Sequence, residues 1–354
     1  MKQIDISHYQ SIDKSNMLQS ILDWPDIIAA VWADMKHFVL PSNYSRIDNV
    51  LILGMGTNRA IAQCLKSAAF EHSNIPVEIV SDYIAPKYIT NTTLVIALSY
   101  SGNTEEIVAS FLSAAKNNGK IIAISSEGEL SSICRKYHAP YYTINYGAES
   151  RAAMGYGFIA ILSIMAKLGL VEINDKSMQN LVKMLKNLIK KINPSNPRHL
   201  NYALQIAEKI YDKIPYLIGS PILEGVISRA KQQFNENAKT ISFCDLIPES
   251  LHNSIKMFRF PAKLEERFFV LFLVSFKDHS RNQQRFNIYQ QLLDKNNISH
   301  ETISVGASSD ITTEILCLIV LFDFISYYLA ILNNTDPSEN EINKFISEKL
   351  LIKK

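Results

Sequence analysis

Cysteine is scarce in this sequence of 354 residues, and its spacing excludes two common roles. The four cysteines are far apart and form no CxxC pair (Cys64, Cys134, Cys244 and Cys317). We therefore expect buried, reduced thiols rather than a disulfide framework or a zinc site. The eight histidines are dispersed as well, without HxH or HxxxH spacing, so neither a metal nor another cofactor is indicated.

A large excess of charge of either sign is also absent. Thirty-six basic and 34 acidic residues leave a formal net charge of +2, which gives no electrostatic reason to expect nucleic acid or an anionic membrane surface as a partner. A basic amphipathic helix within residues 174–192 is interpreted as a solvated face. The first 17 residues contain no apolar signal core, so we expect a cytoplasmic protein.

One apolar run is long enough to resemble a membrane span. It extends over residues 315–332, and Asp323 lies in its middle. A charge at that depth and the isolation of the run favour a helix buried between domains or subunits. We therefore predict no membrane association.

Strands and helices alternate through most of the chain. Short apolar runs end in polar turns and are followed by helical spacing, first at residues 50–53, 77–80, 94–98, 121–125 and 141–144 and again after residue 197. This pattern predicts an α/β fold of two doubly wound parallel sheets, with additional helices at both termini. The proline-rich stretch 193–197 suggests a boundary between domains 1–192 and 193–354.

The turn after the third predicted strand is a candidate phosphate site. It reads SYSGNT and contains Ser99, Ser101 and Thr104 at the start of a predicted helix. Helix N-terminal N–H groups and small hydroxyls bind anions well, although the same residue types also serve as ordinary caps. The turns at Gly54–Gly56 and at residues 125–126 are expected at the same sheet edge.

A dinucleotide site after the first strand is disfavoured. Gly54 and Gly56 start the required glycine pattern, but Arg59 occupies the position of the third glycine. Asp82 follows the second strand as a ribose-binding acid would, but it does not replace that glycine.

Two segments offer acid and base groups. Glu236 is predicted near a helix end and His252 on the following loop, an arrangement suited to proton transfer. Alternatively, Glu236 pairs with Lys239 or Arg229 on the helix surface and His252 caps a turn. Arg151 begins another predicted helix, either paired with Glu149 or facing an anion.

These segments resemble the bifunctional phosphoglucose/phosphomannose isomerase family, which is built from two sugar isomerase (SIS) domains. The matching segments are LILGMG at 51–56, DYIAPKYITNTTLVIALSYSGNTEE at 82–106, ESRAAMGYGF at 149–158, NENAKT at 235–240, PESLHN at 248–253 and DP at 336–337. The resemblance implies metal-free isomerisation of glucose 6-phosphate, and also mannose 6-phosphate, to fructose 6-phosphate.

The resemblance also assigns roles by position. Ser99, Ser101 and Thr104 would hold the phosphate, and Glu236 would move a proton between C1 and C2 through a cis-enediol(ate). Arg151 would stabilise the charge of that intermediate. His252 would assist ring opening. The family site forms at a homodimer interface, so the histidine would come from the neighbouring subunit.

The sequence departs from the family pattern at two places. The family usually reads GMGGS after the first strand, whereas this chain has Gly56, Thr57 and Asn58 near the substrate. The family usually has a lysine eleven positions after the aspartate of DP, where this chain has Ser347. Two alternatives therefore accompany the isomerase hypothesis: a non-catalytic SIS phosphosugar sensor, and a SIS enzyme for an amino-sugar phosphate.

Overall fold

The N-terminal part of the chain is helical, as its apolar spacing predicts. The computed structural model describes residues 6–145, 154–306 and 310–351. Its first helices are α1 (Ile6–Ile12), α2 (Met17–Leu22) and α3 (Trp24–Met35). The carboxylate of Asp13 caps α2 by accepting from the N–H groups of Met17 and Leu18 at 2.8 and 2.9 Å. Pro25 lies in the first turn of α3, where its missing N–H costs no helical bond. The pair Trp24-Pro25 in the sequence predicts a break between two helices, and the start of α3 at Trp24 confirms it.

The first sheet is parallel and has five strands among the described residues. They are β1 (Asn49–Leu53), β2 (Val77–Val80), β3 (Thr93–Leu98), β4 (Lys120–Ser125) and β5 (Tyr141–Thr143), in the order β2-β1-β3-β4-β5. Its helices are α4 (Thr57–Ala69), α5 (Glu105–Lys116), α6 (Glu129–Tyr137) and α7 (Met154–Lys167). Separate apolar clusters fill the two faces of the sheet, which explains why β3 is buried along its whole length.

The second sheet repeats the first on a smaller scale. After α8 (Asp175–Ile192) and α9 (Tyr202–Ile210) come β6 (Ile214–Gly219), α10 (Glu224–Glu236), β7 (Phe243–Leu246), α11 (Leu264–Arg267), β8 (Phe268–Leu273), α12 (Ser280–Lys295), β9 (His300–Ile303), α13 (Ile311–Leu332) and α14 (Glu341–Leu351). The parallel order β7-β6-β8-β9 matches β2-β1-β3-β4. The predicted α/β fold with two parallel sheets is thus confirmed, and the boundary after residue 192 stays a prediction.

Helix α13 is the long apolar segment of the sequence. Among the described residues it is the one helix long and apolar enough to cross a membrane, and 94% of its most apolar stretch is buried inside the protein. It packs against α8, α9 and α10, so its apolar surface is covered by the chain itself. Its burial confirms the interpretation as a core helix.

Two elements differ from the sequence-based expectation. Strand β7 was not predicted because it is a short edge strand that pairs only with β6 and is half exposed, so it lacks an apolar run. The pair Asp336-Pro337 predicts the start of the last amphipathic helix, but α14 begins at Glu341. The carboxylate of Asp336 accepts a hydrogen bond from the Ser338 N–H at 2.9 Å, which forms a turn instead of the first helical residues.

The two sheets are joined through an antiparallel contact of α4 with α10. Gly225 at the start of α10 lies so close to α4 that a Cβ atom there would be 2.4 Å from the Cys64 nitrogen. Further along, Gln232 Nε2 donates to the Gly56 carbonyl at 3.3 Å. The end of α10 therefore lies beside the start of α4.

Candidate functional site

The turn between β3 and α5 presents backbone hydrogen-bond donors at a helix start. Ser99 is fully buried, Thr104 is half-buried and Ser101 is exposed. Ser99 Oγ and Thr104 Oγ1 are hydrogen-bonded at 2.7 Å, so the Thr104 side chain does not cap α5 although Thr104 is its N-cap residue. The N–H groups of the first turn of α5 therefore keep their capacity to bind an anion.

The loop after β4 holds this turn in place. Gly102 has a φ of +69°, and a Cβ atom there would be 1.6 Å from the Glu127 carbonyl oxygen. Ser126 Oγ donates to the Tyr100 carbonyl at 2.7 Å, and the Asn103 side chain accepts from the Glu129 N–H at 2.9 Å. Gly102 and Asn103 thus have structural roles, which leave Ser101 at the exposed surface of the turn.

The turn between β1 and α4 lies at the same edge, because β1 and β3 are adjacent parallel strands. Gly56 has a φ of +53° and precedes α4. Thr57 and Asn58 are the first two residues of that helix and are half-buried. Arg229 of α10 donates to Thr57 Oγ1 at 3.0 Å, so the side chain of Thr57 is bound to the second domain.

Glu236 is the last residue of α10 and is half-buried. Gln232, one helical turn earlier, touches the Gly56 carbonyl. Residues four apart lie on the same face of a helix, so Glu236 continues this face beyond the start of α4. Glu236 therefore lies one helical turn beyond the Gln232 contact, at the end of α10 that is nearest the start of α4.

The two alternative partners proposed for Glu236 differ in position, since Lys239 lies beside its backbone and Arg229 is buried. Lys239 Nζ donates to the backbone carbonyls of Glu236 and Glu339 at 2.5 and 3.0 Å. Arg229 is not on the helix surface, since only 2% of its side chain is exposed. It faces the interior between the domains, so the surface pairing of Glu236 with Arg229 is wrong.

His252 lies on a loop that follows the edge strand of the second sheet. It is exposed, follows the short 3-10 helix Glu249–Leu251, and its N–H donates to the Glu249 carbonyl at 2.9 Å. The loop that carries it leaves β7 at the outer edge of the second sheet. Within the described residues, no hydrogen bond or ion pair joins the side chains of His252 and Glu236.

Two predicted positions cannot be placed. Arg151 lies outside the described residues, as does Glu149, its alternative partner. Ser347 belongs to α14, but its side chain is outside the described part as well. The described part of the chain contains no group of three or more His, Cys, Asp or Glu side chains that could hold a metal ion.

Sequence reasoning missed a buried polar cluster beside this edge. Asp323 of α13 is 3.6 Å from the Arg229 guanidinium and accepts hydrogen bonds from Trp24 Nε1 at 3.0 Å and from Gln233. Burial raises the pKa of the Asp323 carboxyl to about 6, while Arg229 and these donors oppose the shift. The sequence feature that could have indicated this polar cluster is the single acidic residue inside the apolar run of α13.

The equivalent turn of the second domain is occupied by carboxylates. Residues 275–280, SFKDHS, follow β8 as SYSGNT follows β3. Ser275 Oγ and the Phe276 N–H donate to Glu314 at 2.5 and 3.2 Å, and the Ser275 N–H donates to Asp278 at 2.8 Å. Asp278 stands at the position of Gly102, so this turn satisfies its own donors.

The sequence of this chain is similar to those of proteins from one named family. A protein from Caldicellulosiruptor bescii, named bifunctional phosphoglucose/phosphomannose isomerase, is 33% identical over 337 residues, covering 94% of this chain and 98% of that protein. The chain belongs to the bifunctional phosphoglucose/phosphomannose isomerase family. A relative of the same name from Aquifex aeolicus is 27% identical and covers 90% of this chain and 94% of its own length.

Each half of the chain matches the model of a SIS domain. The SIS domain model matches residues 44–168, and the bacterial phospho-glucose isomerase C-terminal SIS domain model matches residues 199–350. The structure of tagatose-6-phosphate ketose/aldose isomerase from Escherichia coli superimposes with a TM-score of 0.69 at 16% identity, covering 91% of this chain and 95% of that one. Each of the two sheets, together with its helices, therefore forms a SIS domain.

Proposed function

We propose that this chain is a sugar-phosphate isomerase that interconverts glucose 6-phosphate, and also mannose 6-phosphate, with fructose 6-phosphate. The observation that carries the proposal is the position of Glu236 at the end of α10. The contact of Gln232 with the Gly56 carbonyl, one helical turn before Glu236, supports a position of this carboxylate near the sheet edge that also carries the turn from Ser99 to Thr104. In this proposal the anion site and the base lie on two sides of one cleft between the domains.

The proposed phosphate ligands are the hydroxyls of Ser99, Ser101 and Thr104 and the first-turn N–H groups of α5. No lysine or arginine lies in this turn, so the dianion is held by neutral donors and the helix dipole. Holding the phosphate at one end of the sugar brings C1 and C2 within reach of a base at the other side of the cleft.

Glu236 is the proposed base. Its carboxylate removes the proton from C2 of the open-chain aldose and delivers it to C1, while the hydroxyl proton passes from O2 to O1, and the intermediate is a cis-enediol(ate). Glucose and mannose differ in configuration only at C2, and the planar intermediate has lost that configuration. One base can therefore serve both aldoses, and Arg151 is the proposed cation that stabilises the developing oxyanion.

The proposed site is completed by a second copy of the chain. His252 is exposed at the outer edge of the second sheet, where a second copy of the chain can reach it. A histidine that assists ring opening must reach the sugar oxygen, and in a homodimer with the site at its interface this histidine would come from the neighbouring subunit. The expected location of the enzyme is the cytoplasm.

The sensor and amino-sugar alternatives are not favoured. The family relatives are named for phosphoglucose and phosphomannose isomerisation, and a sensor would need no base at the end of α10. The side chain of Thr57 has a hydrogen-bond partner, because its hydroxyl accepts from Arg229. The departure from the family pattern is thus compatible with a working site.

The test is a coupled assay with purified protein and fructose 6-phosphate, run beside Glu236→Gln. We expect formation of both aldose phosphates by the wild type and a loss of kcat of about 1,000-fold or more in the variant, because general base catalysis is removed. The matched control is Gln232→Glu, which places a carboxylate one turn earlier and should not rescue Glu236→Gln. Equal inactivity of wild type and variant, with sugar phosphate still bound by both, would refute the isomerase.

A further inference from the structure

Arg229 lies two helical turns before Glu236 on α10, at the point where the two domains meet. Its side chain is only 2% exposed, yet it reaches the first domain and donates from Nη1 to Thr57 Oγ1 at 3.0 Å. Thr57 opens α4 directly after the Gly56 turn. A single buried side chain thus connects the helix of the proposed base with the turn nearest the sugar.

The guanidinium is itself held by a third element. Asp323 of α13 is 3.6 Å from Arg229 Nη2, and its carboxylate also accepts from Trp24 Nε1 of α3 and from Gln233 of α10. A buried carboxylate with several donors and a facing cation is fixed in position, because every rotation would leave a charge unpaired. Asp323 therefore anchors Arg229 to the core helix.

Thr57 is the residue that makes this connection possible in this chain. The family resemblance has glycine at this position, and glycine offers no side-chain acceptor to a guanidinium. The hydroxyl of Thr57 supplies one. The contact lies at the end of the α4–α10 pair that is close to the substrate, whereas Gln63 and Glu224 meet at 3.0 Å at the opposite end of the same pair.

We propose that Arg229 is a positioning residue that sets the distance between Glu236 and the sugar-proximal turn through its bond to Thr57. This inference rests on the proposed isomerase function. The phosphate is anchored on a different turn, so loosening Thr57 leaves substrate binding largely intact and misplaces the base relative to C1 and C2. A misplacement of about 1 Å costs on the order of 100-fold in rate.

The test compares Thr57→Val, which keeps the shape and removes the acceptor, with Thr57→Ser, which keeps the hydroxyl. Thr57→Val should lower kcat by about 10- to 100-fold with KM changed less than about threefold, and Thr57→Ser should restore most of the rate. Arg229→Lys should reproduce the loss, and the double variant Thr57→Val with Arg229→Lys should lose no more than either single variant.

Glu224→Gln is the matched control, since it perturbs the distal contact of the same helix pair and should leave both constants unchanged. Hydrogen exchange of the first turn of α4 gives a readout that does not depend on turnover. It should accelerate in Thr57→Val and Arg229→Lys and stay unchanged in Glu224→Gln. If exchange does not change in the first two, the inference fails even when the wild type is an active isomerase. If exchange changes but the wild type lacks activity, the proposed function fails instead.

Discussion

At the residue scale, some residues of the candidate phosphate turn hold its shape, and others are candidates for binding the phosphate. Gly102 and Asn103 hold the turn against the next loop through a close approach to Glu127 and a hydrogen bond to Glu129. Ser101 is exposed, and Thr104 is linked to Ser99 instead of capping its own helix. The Ser101 and Thr104 hydroxyls also take part in hydrogen bonds within the turn, since Ser101 Oγ accepts from the Asn103 N–H at 3.3 Å and Thr104 is bonded to Ser99.

Removing the hydroxyls of Ser101 and Thr104 should weaken substrate binding more than it slows turnover. Hydrogen bonds to a charged group contribute about 1.5 to 3 kcal/mol each, so the variant Ser101→Ala with Thr104→Ala should raise KM for fructose 6-phosphate by at least tenfold. Steady-state kinetics measure this effect. Ser132→Ala, on the exposed surface of α6, is the control. An unchanged KM would remove Ser101 and Thr104 from the phosphate site.

At the element scale, α13 combines an apolar surface with one buried acid. Burial raises the pKa of Asp323 to about 6, whereas an unperturbed aspartate has a pKa of about 3.9. The folded state therefore binds the proton more tightly than the unfolded state between these two values. Stability from this group falls as the pH rises from about 4 to about 6 and stays constant above that window.

Replacing Asp323 with asparagine should remove this pH dependence. The wild type should lose about 2 to 3 kcal/mol of unfolding free energy relative to Asp323→Asn as the pH rises from 4 to 6. Urea unfolding at several pH values measures the difference. Burial also raises the pKa of Asp278 and Glu314, but both proteins retain these groups, so the comparison isolates Asp323. Parallel pH profiles would contradict the expected shift.

At the scale of the whole molecule, two similar domains have different turns at equivalent positions. The first has free donors at the start of α5, and the second directs its donors to Asp278 and Glu314. In the second turn, the two carboxyl groups already accept from the N–H and hydroxyl donors. A further anion buried beside them would lack donors, so its binding is disfavoured. The internal repeat of the fold therefore does not imply two equivalent sites.

Each chain should accordingly bind one hexose phosphate. Isothermal titration with fructose 6-phosphate should give a stoichiometry of one per chain, and the variant Ser101→Ala with Thr104→Ala should weaken that single binding event by at least tenfold. Glu314→Gln, which changes only the second turn, should leave the stoichiometry unchanged. Two sites per chain in the wild type would show that the carboxyl groups do not close the second turn.

Much of the fold could be predicted from local patterns. Buried strands such as β3 are continuous apolar runs, and the helices behind them have their own spacing, so both are recognisable without tertiary information. β7 was missed because an edge strand with half-exposed residues has no such pattern. Likewise, Asp336 is compatible with a helix start in the sequence, and only its bond to Ser338 shows the turn.

The sequence by itself determined the class of fold, the polar turns at strand ends and the family, because these depend on short stretches of neighbouring residues. Only the tertiary structure decided which distant side chains meet. Arg229, Thr57 and Asp323 are separated by up to 266 positions (323 − 57) and lie in one cluster between the domains. Such contacts arise from the packing of α4, α10 and α13, a long-range arrangement that no local periodicity encodes.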